Sequence, residues 1–96
     1  MKISDLRKSL KNKQGEKWCV YLLECKDGSY YCGITNDIDR RVKQHNNGTG
    51  AKYTKGRGPV TLIGFRSVID KSTALKLEAL VKKKKKSEKA KFLLEQ

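Results

Sequence analysis

The chain has 96 residues, with 23 Lys and Arg against 10 Asp and Glu, a net charge of +13. That length suits one small domain whose single core buries roughly 60 to 70 per cent of the unfolded surface, and leaves no room for a second module. So much positive charge opposes compaction by self-repulsion and fits a polyanionic partner; nucleic acid is the first reading, a ribosome or an anionic membrane surface the alternative.

Residues 1–15 form a basic N-terminal segment in which Ile3, Leu6 and Leu10 are spaced for a short amphipathic helix, with a frayed segment as the alternative. Trp18 to Cys25 and Ser29 to Ile34 are rich in aromatic, β-branched and apolar residues and flank Lys26-Asp27-Gly28, so they predict an antiparallel hairpin. A two-residue Asp27-Gly28 turn would set Tyr21 and Tyr31 on opposite faces. A three-residue loop with Gly28 left-handed would set them on one face.

Thr35-Asn36, then Asp37 and Asp39, then Gly48 signal a helix over about 37–46 with Ile38 and Val42 as its buried stripe. Arg41 and His45, four residues apart, border that stripe. Residues 47–59 read as a basic, glycine-rich loop without periodicity, and 60–69 as a third strand in which Gly64 marks a bulge or a close backbone approach. Asp70 or Ser72 caps a helix over 72–86 whose inward face is Ala74, Leu77, Leu80 and Val81. Ser87 caps a last short helix, 87–96, anchored by Phe92, Leu93 and Leu94.

Cys19, Cys25 and Cys32 form no CxxC pair and there is a single histidine, so neither a disulfide framework nor a zinc site is expected. Reduced, half-buried strand cysteines of a cytoplasmic protein fit better. No run approaches 18 apolar residues, and the N-terminus lacks the apolar stretch of a signal peptide, so no membrane association is expected.

The order of hairpin, capped helix, glycine-rich loop, strand and Glu-bearing helix over residues 16–86 resembles the GIY-YIG nuclease family. Cys19-Val20-Tyr21 stands for Gly-Ile-Tyr and Tyr31-Cys32-Gly33 for Tyr-Ile-Gly. The run from Cys32 to Asp37, Arg40 through Asn46, and Ala51-Lys52-Tyr53-Thr54 are similar to the small stand-alone bacterial branch, and also to the N-terminal nuclease module of the excision-repair incision protein. The resemblance implies an α+β fold, a small three-stranded antiparallel sheet flanked by helices. A shared site then requires the three-residue hairpin loop.

It also implies roles. Tyr21 would activate or orient the attacking water, and Tyr31 would hydrogen-bond the phosphate or the water, whereas Tyr30 faces the core. Arg41, with its guanidinium fork, would meet the charge developing on the phosphate, with Arg40 solvated. His45 would accept a proton or bind the phosphate. Glu78, which flanks an apolar stripe, would be the single protein ligand to Mg²⁺ or Mn²⁺; an ion pair with Lys82 is its plainer reading. Apart from the resemblance, Lys52, Tyr53, Lys55 and Arg57 on the loop, with Lys82 and Lys83 of the lysine run, suit contact with phosphates, with Tyr53 stacking on a base; a solvated loop and a disordered or solvated helix edge are the alternatives. The expectation is thus a metal-dependent endonuclease acting on DNA more than RNA, monomeric or weakly dimeric and guided by a targeting protein. The alternatives are an inactive binding module of the same fold and a basic ribonucleoprotein component.

Overall fold

The computed structural model describes residues 17–95. The expected N-terminal segment and its Ile3, Leu6, Leu10 helix therefore lie outside the described residues. In chain order the elements are β1 (Trp18–Glu24), β2 (Tyr30–Thr35), α1 (Ile38–Asn46), a single 3₁₀ turn (Lys52–Thr54), β3 (Thr61–Val68), α2 (Lys71–Lys82) and α3 (Lys86–Leu94). The strands pair antiparallel in the order β2-β1-β3, which gives the expected α+β fold of a three-stranded sheet flanked by helices.

Central β1 shows no alternation, Cys19 to Leu23 all being buried, because both faces of the sheet are covered. On one face Val20, Leu22 and Cys32 pack against Ala74, Leu77, Val81 and Leu93 of the two C-terminal helices. On the other, Tyr21, Leu23 and Cys25 pack against Ile38 and Val60. Each buried Leu or Val side chain contributes on the order of 1.5–3 kcal/mol.

The hairpin closes through the three-residue loop. Cys25 N–H donates to Ser29 O at 2.8 Å, Gly28 N–H donates to Cys25 O at 2.9 Å, and Gly28 takes φ 85°. Tyr21 consequently pairs with Gly33 and Leu23 with Tyr31, so both tyrosines share a face. Tyr30 packs on the other. Gly64 does both things expected of it. The β1–β3 register shifts beside it, and a Cβ there would meet the Leu94 side chain at 3.0 Å.

Asp37 caps α1 by accepting from Arg40 N at 3.2 Å, and Asp70 caps α2 by accepting from Thr73 N at 2.8 Å. The predicted helix over 72–86 is corrected. It ends at Lys82, where Lys89 Nζ donates to the carbonyls of Val81 and Lys82 at 3.0 and 3.1 Å. Those last carbonyls have no partner within the helix, and a cation is favoured beside them. The chain turns and restarts as α3 behind Lys85, without a side-chain cap from Ser87. Leu93 is α3's fully buried anchor, and Leu94 is half exposed. Leu80, expected inside, is 47 % exposed, since it sits roughly a quarter-turn from the Ala74, Leu77, Val81 stripe. The three cysteines are free and fully buried rather than half-buried. Among the described residues no helix is long and apolar enough to cross a membrane.

Candidate active site

Gly33 makes the site possible. The Tyr21 ring lies across its backbone, and a Cβ there would stand 2.5 Å from Tyr21 Oη and 3.0 Å from a Tyr31 ring carbon. This close approach carries the Tyr21 hydroxyl to α1. There it lies 2.8 Å from His45 Nε2, and Arg41 Nε donates to it at 3.3 Å. Arg41 Nη1 in turn donates to Gln44 Oε1 at 3.0 Å. The Tyr31 ring centre is 6.3 Å from that of Tyr21 and 5.1 Å from that of His45. Arg40, one residue before Arg41, is exposed.

The glycine-rich loop roofs this cluster. Thr54 Oγ1 is 2.7 Å from His45 Nδ1 and donates to Ala51 O at 2.9 Å. Gly50 lies against the imidazole so closely that a Cβ would meet Nδ1 at 2.7 Å. Tyr21, His45 and Thr54 are all at most 1 % exposed. The expectation that His45 merely borders the core is thus corrected: a loop without apolar periodicity covers its imidazole with backbone and a threonine, and Tyr21 is buried beside it.

Burial sets the electrostatics. Desolvation pushes the Tyr21 phenol up to about 12 against the pull of the Arg41 hydrogen bond. Desolvation, helped by the Arg41 charge, lowers His45 to about 4. Both are neutral at pH 7. An arginine donating to the oxygen of a neutral phenol, beside a neutral imidazole, makes a polar chain able to pass a proton.

The other predicted residues are distributed around this cluster. Tyr53 is 41 % exposed and makes two ring contacts. It stacks on Tyr31 at 5.9 Å, and the Arg57 guanidinium lies 4.4 Å over it while also pairing with Asp27 at the hairpin tip. Lys52 and Lys55 are exposed on the same loop. Glu78 is on α2, which packs on the opposite sheet face. Its carboxylate is 17 % exposed, pairs with Lys82 at 3.5 Å and adds to the burial that pushes the Cys32 thiol up to about 11. The tyrosine cluster and Glu78 are therefore on opposite faces of the sheet, of which β2 is one edge strand. Lys82 and Lys83, at the C-terminal end of α2, are exposed. A groove of about 270 Å³ wraps the end of the sheet, lined by Trp18 and Ile34 from the α2 face and by Arg40, Arg41 and Gln44 from α1.

Gly50, Thr54 and Gln44 escape a reading of the sequence. A threonine in a polar loop carries no signal of burial; only its place beside Tyr53 in the Ala51-Lys52-Tyr53-Thr54 run points to it.

Residues 17–91 match the family described as "GIY-YIG catalytic domain". The chain belongs to the GIY-YIG family. It is similar to the UPF0213 protein of Streptococcus pneumoniae serotype 4, with 51% identity over 76 residues, covering 79% of this chain and 77% of the relative. With UPF0213 protein BH0048 of Halalkalibacterium halodurans it shares 54% identity over 63 residues, 66% of this chain and 67% of the relative. The solution NMR structure of EF2693 from E. faecalis superposes with a TM-score of 0.57 at 39% identity, covering 80% of this chain and 82% of that one. GIY-YIG domains are nuclease domains, so nucleic acid is the ligand class of this fold.

Proposed function

We propose that this GIY-YIG domain is a metal-dependent endonuclease that hydrolyses phosphodiester bonds, in DNA in preference to RNA. The observation that carries the reading is the Arg41–Tyr21–His45 hydrogen-bonded chain on the face shared with Tyr31. In the proposed reaction a water lies at Tyr21 Oη. As its oxygen bonds to phosphorus, its proton passes to Oη and the phenol proton passes to His45 Nε2. The leaving oxygen departs with the P–O bonding pair and is protonated from solvent. Arg41 binds the phosphoryl oxygens through its guanidinium, where charge accumulates, and Tyr31 hydrogen-bonds the same group.

The distance between a phenol at about 12 and an imidazole at about 4 opposes this transfer in the free protein. A phosphate paired with Arg41 offsets one of the two causes that hold His45 low, so substrate binding itself favours the relay. A divalent ion at Glu78, Mg²⁺ or Mn²⁺, would neutralise phosphate charge. The donor chemistry fits such an ion: Mg²⁺ is held by one or two carboxylates with water and substrate phosphate, and Glu78, paired with Lys82 at 3.5 Å, supplies one carboxylate. A strand of nucleic acid crossing the β2 edge would touch Glu78 on one side and Arg41 on the other.

One observation favours the second reading, a binding module without turnover: Tyr21 has no exposed surface. The test is cleavage of plasmid, branched DNA and RNA with Mg²⁺, Mn²⁺ or chelator, comparing the parent with Glu78→Ala and Arg41→Ala. Each substitution is expected to lower cleavage by about two orders of magnitude or more. Glu78→Ala should also abolish the metal response while leaving binding nearly intact. Unchanged cleavage in Glu78→Ala overturns the metal assignment. No cleavage by the parent on any substrate establishes the binding module.

A further inference from the structure

We infer that Thr54 is a positioning residue that fixes the tautomer of His45 and, through it, the direction of the Tyr21 hydroxyl. The inference rests on the nuclease reading for its consequence but not for its geometry. Thr54 Oγ1 has one proton and two neighbours, Ala51 O at 2.9 Å and His45 Nδ1 at 2.7 Å. A carbonyl can only accept, whereas an imidazole nitrogen can be on either side of the bond. With the threonine proton on Ala51 O, Nδ1 must carry hydrogen and donate to Thr54. Nε2 is then the lone pair and accepts from Tyr21, whose oxygen accepts from Arg41 Nε. Each donor along Arg41, Tyr21, His45 and Thr54 then has an acceptor, at the expense of the long 3.5 Å bond from Ala51 N–H to Nδ1.

The reverse tautomer is also within reach. Nδ1 would then accept from the Thr54 hydroxyl at 2.7 Å, Ala51 O keeping the Thr54 N–H at 3.2 Å, and from Ala51 N–H at 3.5 Å. Nε2–H would then donate to Tyr21 Oη, which would hold two donors, His45 and Arg41, and the phenol proton would lose its acceptor. A buried hydroxyl without an acceptor is disfavoured, and a proton could not pass from Tyr21 to His45. Thr54 thus supplies the acceptor for Nδ1–H that the relaying state needs, and its loss leaves the blocking state. Its oxygen accepts from Nδ1–H both before and after the imidazole gains its second proton, so the ring need not move during the step.

His45 is the one histidine of the chain, so selective ¹⁵N-histidine labelling reports a single pair of ring nitrogens. At pH 7 the parent and Thr54→Ser should show a protonated Nδ1 and a bare Nε2. Thr54→Val should show the reverse, as Ala51 N–H takes over. Hydrogen on Nε2 in the parent, or the parental pattern kept in Thr54→Val, overturns the inference. If the amide spectrum of Thr54→Val differs beyond the loop, Thr54→Ala makes the same deletion and is read the same way. In cleavage, Thr54→Val should lower kcat by about tenfold or more with KM unchanged, as a mis-set tautomer does, and Thr54→Ser should restore it. A reversed tautomer with unchanged kcat overturns the positioning role. The nitrogen spectra need no substrate, so an inactive parent sinks the nuclease reading while the tautomer assignment is judged separately.

Discussion

The two faces of the sheet bury side chains equally well and do so by different chemistry. Beneath α2 and α3 the interior is Val20, Leu22, Leu77, Val81 and Leu93, where attraction is non-directional and scales with area. Beneath α1 and the glycine-rich loop it includes Tyr21, His45 and Thr54, where each donor needs its own acceptor. The first face tolerates changes that conserve volume. The second is a one-to-one arrangement in which a single missing hydroxyl or an added methyl reaches the proposed chemistry.

The sharpest way to break this division is a paired substitution. Leu77→Ala should cost about 2–5 kcal/mol of stability and leave cleavage per folded molecule within about twofold, whereas Tyr21→Phe should lower cleavage about 100-fold and cost only about 1 kcal/mol in stability. Urea unfolding and single-turnover cleavage on the same samples decide it. Comparable effects of both on cleavage would dissolve the distinction.

Acid should act most strongly through the polar face. Folding holds the His45 imidazole neutral, lowering it from 6.5 to about 4, so protonation favours the unfolded chain. The stability this residue contributes is fully present above about pH 6.5 and falls away as the pH drops through about 4, a loss of about 3 kcal/mol. His45→Asn should flatten that limb when urea midpoints are compared at pH 7, 5 and 4. A limb of the same depth in the variant would assign acid sensitivity to other groups.

Gly33→Ala tests the close approach that joins the two tyrosines. The added methyl must displace the Tyr21 ring, and a displacement of about 1 Å should cost about 100-fold in cleavage while nucleic-acid binding, measured by titration, is retained. The smallest effect concerns the charge on both faces. If about four phosphates are neutralised, log K should fall against log salt with a slope near −3.6. Lys52→Ala, on the roof loop, and Lys83→Ala, at the end of α2, should each reduce that slope by about 0.9 if the strand crosses the β2 edge. An effect of Lys52→Ala alone would confine the nucleic acid to the tyrosine face and separate it from Glu78.

Much was legible along the chain because it depends on neighbours in sequence. The hairpin about Lys26-Asp27-Gly28, the start of α1 within a residue of Asp37, Asp70 as one of two cap candidates and the alternation of faces in the hairpin follow from backbone chemistry within a few residues. The three-residue form of the loop follows only from the shared site that the family resemblance requires. Together they set Tyr21 and Tyr31 on one face and Arg41 and His45 one turn apart. Only the tertiary structure decided that His45 is buried, because the covering atoms come from Gly50 and Thr54 of a loop whose composition looks solvated, and that Tyr21 is buried against it. It alone set Tyr53 against Tyr31 and Arg57, ended α2 at Lys82 and set Glu78 on the opposite face. Each of these depends on a partner distant in sequence or across a turn: 24 residues separate Tyr21 from His45. Local periodicity shows which side chains share a face, but the protonation and direction of a buried polar group depend on what the rest of the chain brings against it.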